Sequence, residues 1–204
     1  MRSKPSSFIV GIGGQAGSGK STMARYFARR GAEIIDADKI GWTLLMRSAP
    51  TCAKVVQSFG LDILNSKGNI DRRTLGKIVF TSRTAMAKLN RIVHPAQLKE
   101  LQRRIAAPGT PDKVIDAALL FFWKWHKKVD LSILVTAPTK TKITRMIKSG
   151  LNEAQAQDRL RSQLSEVQMK KMASLVVENA GSVTDLRQQC RKLWDVIQEK
   201  RAKK

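Results

Sequence analysis

The stretch Gly14-Gln15-Ala16-Gly17-Ser18-Gly19-Lys20-Ser21-Thr22 leaves this chain least freedom in how it folds. It follows the apolar run Phe8-Ile9-Val10-Gly11-Ile12, which reads as a strand, and precedes Ser21 to Arg30, where Met23, Ala24, Phe27 and Ala28 share one helical face. A strand that turns into a helix through glycines can bring successive backbone N–H groups together, because glycine accepts positive φ and lets the main chain approach closely. The helix N-terminus adds partial positive charge at the same point. The spacing Gly14-x4-Gly19-Lys20-Ser21 therefore predicts a phosphate cradle formed by residues 14–22, with the Lys20 ammonium on the outer phosphates of ATP and the Ser21 hydroxyl on Mg²⁺.

Beyond this motif, strand-like apolar runs alternate with helical patterns, as in a parallel sheet covered on both faces. Glu33-Ile34-Ile35, Lys113-Val114-Ile115-Asp116, Leu131 to Val135 and Ser174 to Val177 read as four further strands, and Val183 to Glu199 as a closing helix with Leu186, Cys190, Leu193 and Ile197 at helical spacing. The reading is one α/β domain whose core takes in about 1–39, 110–138 and 173–204. A helical block of about 40–109 ends at Pro108-Gly109-Thr110-Pro111 and reads as a substrate-side insertion. A second block of about 139–172 reads as a lid.

Composition narrows the setting. No run of apolar residues reaches the length of a membrane-spanning helix. The N-terminus lacks the apolar core of a secretory signal, so the expected location is cytoplasmic. Cys52 and Cys190 form no CxxC pair and have no His cluster beside them, which argues against disulfide or zinc chemistry. A net charge of +22 attracts polyanions, yet the basic residues, among them Arg103, Arg104, Lys127, Lys128, Lys170 and Lys171, are spread along the chain. That dispersal favours small phosphorylated ligands over nucleic acid as partners.

Several acids are placed for chemistry. Asp36-Ala37-Asp38 comes at the C-terminal end of the second strand, the edge on which open α/β sheets bind ligands. Asp38 there is a candidate to orient an attacking hydroxyl or accept its proton, and Asp36 to enter a metal shell or cap the next helix. Asp116, after Val114-Ile115, is placed like an acid that holds Mg²⁺ through water, though strands also end in Asp for turn reasons.

Together with the phosphate-loop motif, the Ile35-Asp36-Ala37-Asp38 step resembles the dephospho-coenzyme A kinase family. Phe59-Gly60-x-Asp62-Ile63-Leu64, Gly68-Asn69-Ile70-Asp71-Arg72-Arg73, Leu89-Asn90-x-Ile92-Val93-His94-Pro95, Ile115-Asp116-x-x-Leu119-Leu120 and Val177-Glu178-Asn179-x-Gly181 follow in the family's order. The resemblance implies a P-loop kinase fold and transfer of the ATP γ-phosphoryl group to the ribose 3′-hydroxyl of dephospho-coenzyme A. It implies Asp38 as acid-base residue, Arg72, Arg73, His94 and Leu119 beside the substrate, and Arg145 and Lys148 as basic groups of the lid. As alternatives, Arg72 and Arg73 read as solvated helix charges, and His94-Pro95 as a turn in the insertion. The chain departs from the family's pattern in three places. Ala118 and Phe122 replace a proline and an acid in the loop after the third strand, Ser174 stands where an aspartate is usual, and Lys148 stands where an arginine is usual. Trp123 and Trp125 also make that loop aromatic, either for the core or for a purine ring. The departures keep two other readings in play: a basic nucleotide-binding protein of reduced activity that holds nucleic acid or another acidic partner, and a kinase for another nucleoside-like acceptor.

Overall fold

The computed structural model describes residues 7–108 and 112–203. The elements in chain order are β1 (Phe8–Gly13), α1 (Lys20–Ala28), β2 (Glu33–Asp36), α2 (Ala37–Thr43), α3 (Pro50–Phe59), α4 (Arg72–Thr81), α5 (Arg83–Ala106), β3 (Asp112–Asp116), β4 (Leu131–Thr136), α6 (Thr139–Lys148), α7 (Glu153–Arg161), α8 (Glu166–Lys170), β5 (Leu175–Glu178) and α9 (Val183–Ala202). The chain divides into two compact units, Met1–Asp36 with Pro108–Lys204, and Ala37–Ala107. Gly109, Thr110 and Pro111 of the expected loop lie outside the described residues.

In the first unit five parallel strands run in the order β2-β3-β1-β4-β5. β3 and β4, which flank the central strand β1, are buried at every position, as strands covered on both faces are. β1 alternates. Val10 and Ile12 join Ile133, Val135, Met23 and Phe27 in the main core, and α9 closes it with Leu186, Cys190, Trp194 and Ile197. The Phe27 and Trp194 rings lie 5.5 Å apart across the two helices. Gly11 and Gly13 point the other way, where Leu120 and Phe121 from the loop after β3 press directly on the strand. Large side chains at 11 and 13 would exclude that loop.

Helix termini follow local chemistry. Ser182 caps α9 by accepting from the Asp185 N–H at 3.2 Å while the Asp185 carboxylate accepts from the Ser182 N–H at 2.7 Å. Burial lifts the Cys190 thiol on this helix to about 11, so it packs as an apolar group.

The second unit is helical. Val55, Ile63, Leu75, Val79 and Val93 form its own core, with Trp42 of α2 packed against it. Of the readings of His94-Pro95, the turn is excluded: both residues lie inside α5, which continues for 24 residues through Pro95. The segments on either side of the proline both pack within the unit, which holds the helix together despite one lost main-chain hydrogen bond.

Gly13→Ala places a methyl group against the Phe121 ring, so we expect a loss of about 1–3 kcal/mol from overpacking. Urea unfolding should show it as a lower midpoint at unchanged slope.

Candidate active site

β1 has β3 on one side and β4 on the other, so the order in which the chain adds strands reverses there. Open α/β sheets bind ligands at the carboxyl end of that point, and the glycine-rich turn emerges from it. Gly17 and Gly19 have φ of 76° and 106°, in the left-handed region. Neither position has room for a Cβ: at Gly17 it would fall 2.6 Å from the Lys142 carbonyl oxygen, and at Gly19 it would collide with the Asn179 amide. Conformation and space both require glycine.

The turn is closed by the Ser18 N–H donating to the Gln15 carbonyl at 3.2 Å, whereas the amides of Gly17, Gly19 and Ser21 have no acceptor among the described residues. Lys20, only 7% exposed, begins α1 and folds its Nζ back onto the Gln15 carbonyl at 3.2 Å. The fully buried Ser18 hydroxyl has no partner among the described residues. Gln15 is buried, Gly14 abuts the Val135 carbonyl, Ala16 and Thr22 are half-buried, and Ser21 is exposed at the start of α1. Unpaired amides, a helix N-terminus and a buried lysine suit the phosphates of ATP.

Asp36 and Asp116 are register partners at the ends of β2 and β3, on the same sheet edge as the turn. Asp116 is 6% exposed and Asp36 half-buried. Among the described residues no three His, Cys, Asp or Glu side chains cluster as a metal cage. Two carboxylates and the Ser21 hydroxyl are instead the sparse, hard-oxygen donor set that suits Mg²⁺, which keeps several of its waters.

The loop's outer wall is held by segments far along the chain. Asn179, after β5, donates to the Ser18 carbonyl at 2.7 Å. Arg145 donates to the carbonyls of Gly17 and Ser18 at 3.1 and 3.3 Å, so it lies behind the cradle. Lys142, one turn earlier on α6, is 3% exposed; its Nζ sits 2.6 Å from the Gln15 side-chain oxygen and 2.7 Å from Glu166. Gln15 also donates to the Leu164 carbonyl at 3.1 Å, and the Ala16 N–H donates to the Gln163 side chain at 2.9 Å. Lys148 is exposed in the last turn of α6 and takes no part in this network. Sequence reasoning missed Lys142 and Gln163, because a lysine or glutamine in a polar helical block looks solvated until its partners are known.

In the helical unit, Asp38 is exposed in the first turn of α2. Gln97 of α5 holds that turn: it is 5% exposed, and its amide donates to the Ala37 carbonyl at 2.6 Å. Gly41 faces the same amide, where a Cβ would lie only 3.0 Å away, so glycine admits the glutamine. The sequence reading did not single out Gln97. Asp71 caps α4 by accepting from the Thr74 N–H at 2.7 Å, a bond that holds its carboxyl below the usual carboxylate range. Arg72 and Arg73 follow, both exposed, and the Arg72 guanidinium lies 4.3 Å from the centre of the Trp42 ring. Half-buried His94 is pulled down to about 4 by desolvation. In the loop after β3, Leu119 is half-buried, Trp125 is buried and Phe122 is 52% exposed. Core packing is therefore the role of Trp125.

Two outcomes are expected here. Glu166→Gln leaves the Lys142 charge buried without its counter-ion, which costs about 3 kcal/mol in urea unfolding. His94, with a folded pKa of about 4 against an ordinary 6.5, binds its proton more readily when unfolded. Its contribution to stability is therefore complete above pH 6.5 and lost as pH falls towards 4, and His94→Gln should flatten the wild-type stability profile within that window.

The family model for dephospho-CoA kinase matches residues 8–185. A dephospho-CoA kinase of Carboxydothermus hydrogenoformans is 38% identical over 185 residues, covering 89% of this chain and 90% of the relative. Among solved structures, a Thermus thermophilus protein superimposes with a TM-score of 0.75 at 29% identity, covering 95% of this chain and 97% of the other. A dephospho-CoA kinase from Campylobacter jejuni gives 0.58 at 25% identity, covering 93% and 97%. With the phosphate loop at the switch point of a five-stranded parallel sheet and the family's pattern running through both units, the chain belongs to the dephospho-CoA kinase family.

Proposed function

We propose that this chain transfers the γ-phosphoryl group of ATP to the ribose 3′-hydroxyl of dephospho-coenzyme A, giving coenzyme A and ADP. The observation that carries the proposal is the glycine-backed cradle at Gly14 to Thr22, within a chain that the dephospho-CoA kinase model matches over residues 8–185. ATP is held by the amides of Gly17, Gly19 and Ser21 and by Lys20, which leaves the Gln15 carbonyl for the outer phosphates. Ser21, Asp36 and Asp116 would hold Mg²⁺, which would neutralise charge on the phosphates. Asp38 orients the acceptor hydroxyl. As the hydroxyl oxygen bonds to the γ-phosphorus, its proton passes to Asp38, and the bond from the γ-phosphorus to the bridging oxygen breaks to release ADP.

Arg72, Arg73 and His94 serve the acceptor side, with Leu119 on the loop after β3. Arg145 acts by bracing the cradle, and Lys148, exposed at the end of α6, is the lid cation free to approach phosphate. The site of action is the cytoplasm, where ATP is abundant.

ADP release coupled to a spectrophotometric readout tests the assignment. Turnover with dephospho-coenzyme A well above background ATPase is expected; folded protein without it overturns the proposal. Asp38→Asn should lower kcat by about 100-fold and leave the KM for ATP nearly unchanged. Near-normal turnover would remove Asp38 from its role.

A further inference from the structure

Arg72 differs from most of the other arginines whose contacts are resolved. Arg103 and Arg104 lie on Glu100, Arg161 on Asp158, Arg201 on Asp112, and Arg145 on main-chain carbonyls. The guanidinium of Arg72 instead stacks 4.3 Å from the centre of the Trp42 ring, and its N–H groups have no acceptor among the described residues. Trp42 is itself fixed. It is half-buried, packs against the helical unit's core, and stands four residues after Asp38 on α2, hence on the same helical face. The first turn of that helix is anchored by the Gln97 hydrogen bond to Ala37.

An arginine laid flat on an aromatic ring loses the freedom of a long side chain but keeps its planar edge of donors for an oxyanion. In solution a flexible arginine would have to give up that freedom on binding; here the ring has already restricted it. We infer that Trp42 is a positioning residue that presents Arg72 as a preformed clamp for the diphosphate of the acceptor, one helical turn from Asp38. The inference rests on the proposed kinase reading, which supplies the diphosphate-bearing acceptor, and adds a residue that neither the motif pattern nor the charge count singles out.

Steady-state kinetics of the full chain with dephospho-coenzyme A and ATP tests this. Arg72→Ala should raise the KM for dephospho-coenzyme A about tenfold. Trp42→Leu, which keeps apolar bulk against the core, should raise it about threefold to fivefold. In both variants the KM for ATP should stay unchanged and kcat should remain within about twofold. Trp42→Phe keeps a ring and should recover most of the loss. The double variant Trp42→Leu/Arg72→Ala should be no worse than Arg72→Ala, because the tryptophan acts only through the arginine. An unchanged acceptor KM in Arg72→Ala overturns the inference even if Trp42→Leu fails to fold, and additive effects in the double variant overturn it as well. Those outcomes, obtained with a wild type that turns over dephospho-coenzyme A, leave the kinase reading standing. Absence of wild-type turnover removes both.

Discussion

Everything at the nucleotide end depends on holding the Gln15–Ser18 turn with its amides pointing one way. A run of left-handed glycines is the least rigid means of building such a turn, because glycine has the most conformational freedom to lose. The structure answers with contacts from outside the turn: Asn179 after β5, Lys142 and Arg145 on α6, and Gln163 and Leu164 before α8. All but one of these take carbonyls or side chains of the turn and leave inward-facing amides alone; the exception is the Ala16 N–H, given to Gln163. Completing the sheet and organising the cradle are therefore coupled, since the bracing groups lie on segments that follow β4, which pairs with β1, and β5, which pairs with β4.

The helical block from α6 to α8 is tied into the same arrangement through a charge. Lys142 is almost wholly buried and divides its hydrogen bonds between Gln15 and Glu166, so moving α8 away from α6 would strand an ammonium group in a dry site. Arg145 fixes the same helix to the turn's carbonyls. Lys148, two turns beyond Lys142 at the free end of α6, carries none of these restraints. Both ends of the block, Lys142 and Arg145 on α6 and Gln163 to Glu166 at the start of α8, are thus part of the cradle wall.

The sequence was most informative where function needs one residue type at one spacing. Glycine, lysine and serine in the turn, five apolar strands, and acids at strand ends can be read without partners, and Asp36 and Asp116 fall opposite each other because both terminate neighbouring strands. The reading failed where a residue's role is conferred by a distant one. Lys142 and Gln97 look like ordinary polar helix positions; one is buried against Gln15 and the other against Ala37, and neither partner is close in sequence. His94-Pro95 misled in the opposite sense. Proline disfavours the helix interior by local chemistry, but α5 packs on both sides of it, and tertiary contact overrides the local preference. Ser174, a departure from the family's pattern, stands just before β5 and exchanges hydrogen bonds with Ser132 of β4, with hydroxyl oxygens 3.0 Å apart.

The same logic applies to Phe122. An acid on the loop after β3 would stand on a chain of net charge +22, where a carboxylate locally lowers the positive field. Phenylalanine leaves that field undiminished. The loop does not need the acid to keep its shape, since Leu120 and Phe121 anchor it on the strand glycines and Trp125 is buried beneath. Phe122 remains 52% exposed while its neighbours are fixed. The substitution therefore changes the chemistry of an exposed position on a backbone that stays where the core holds it, and leaves the architecture of the phosphate cradle untouched.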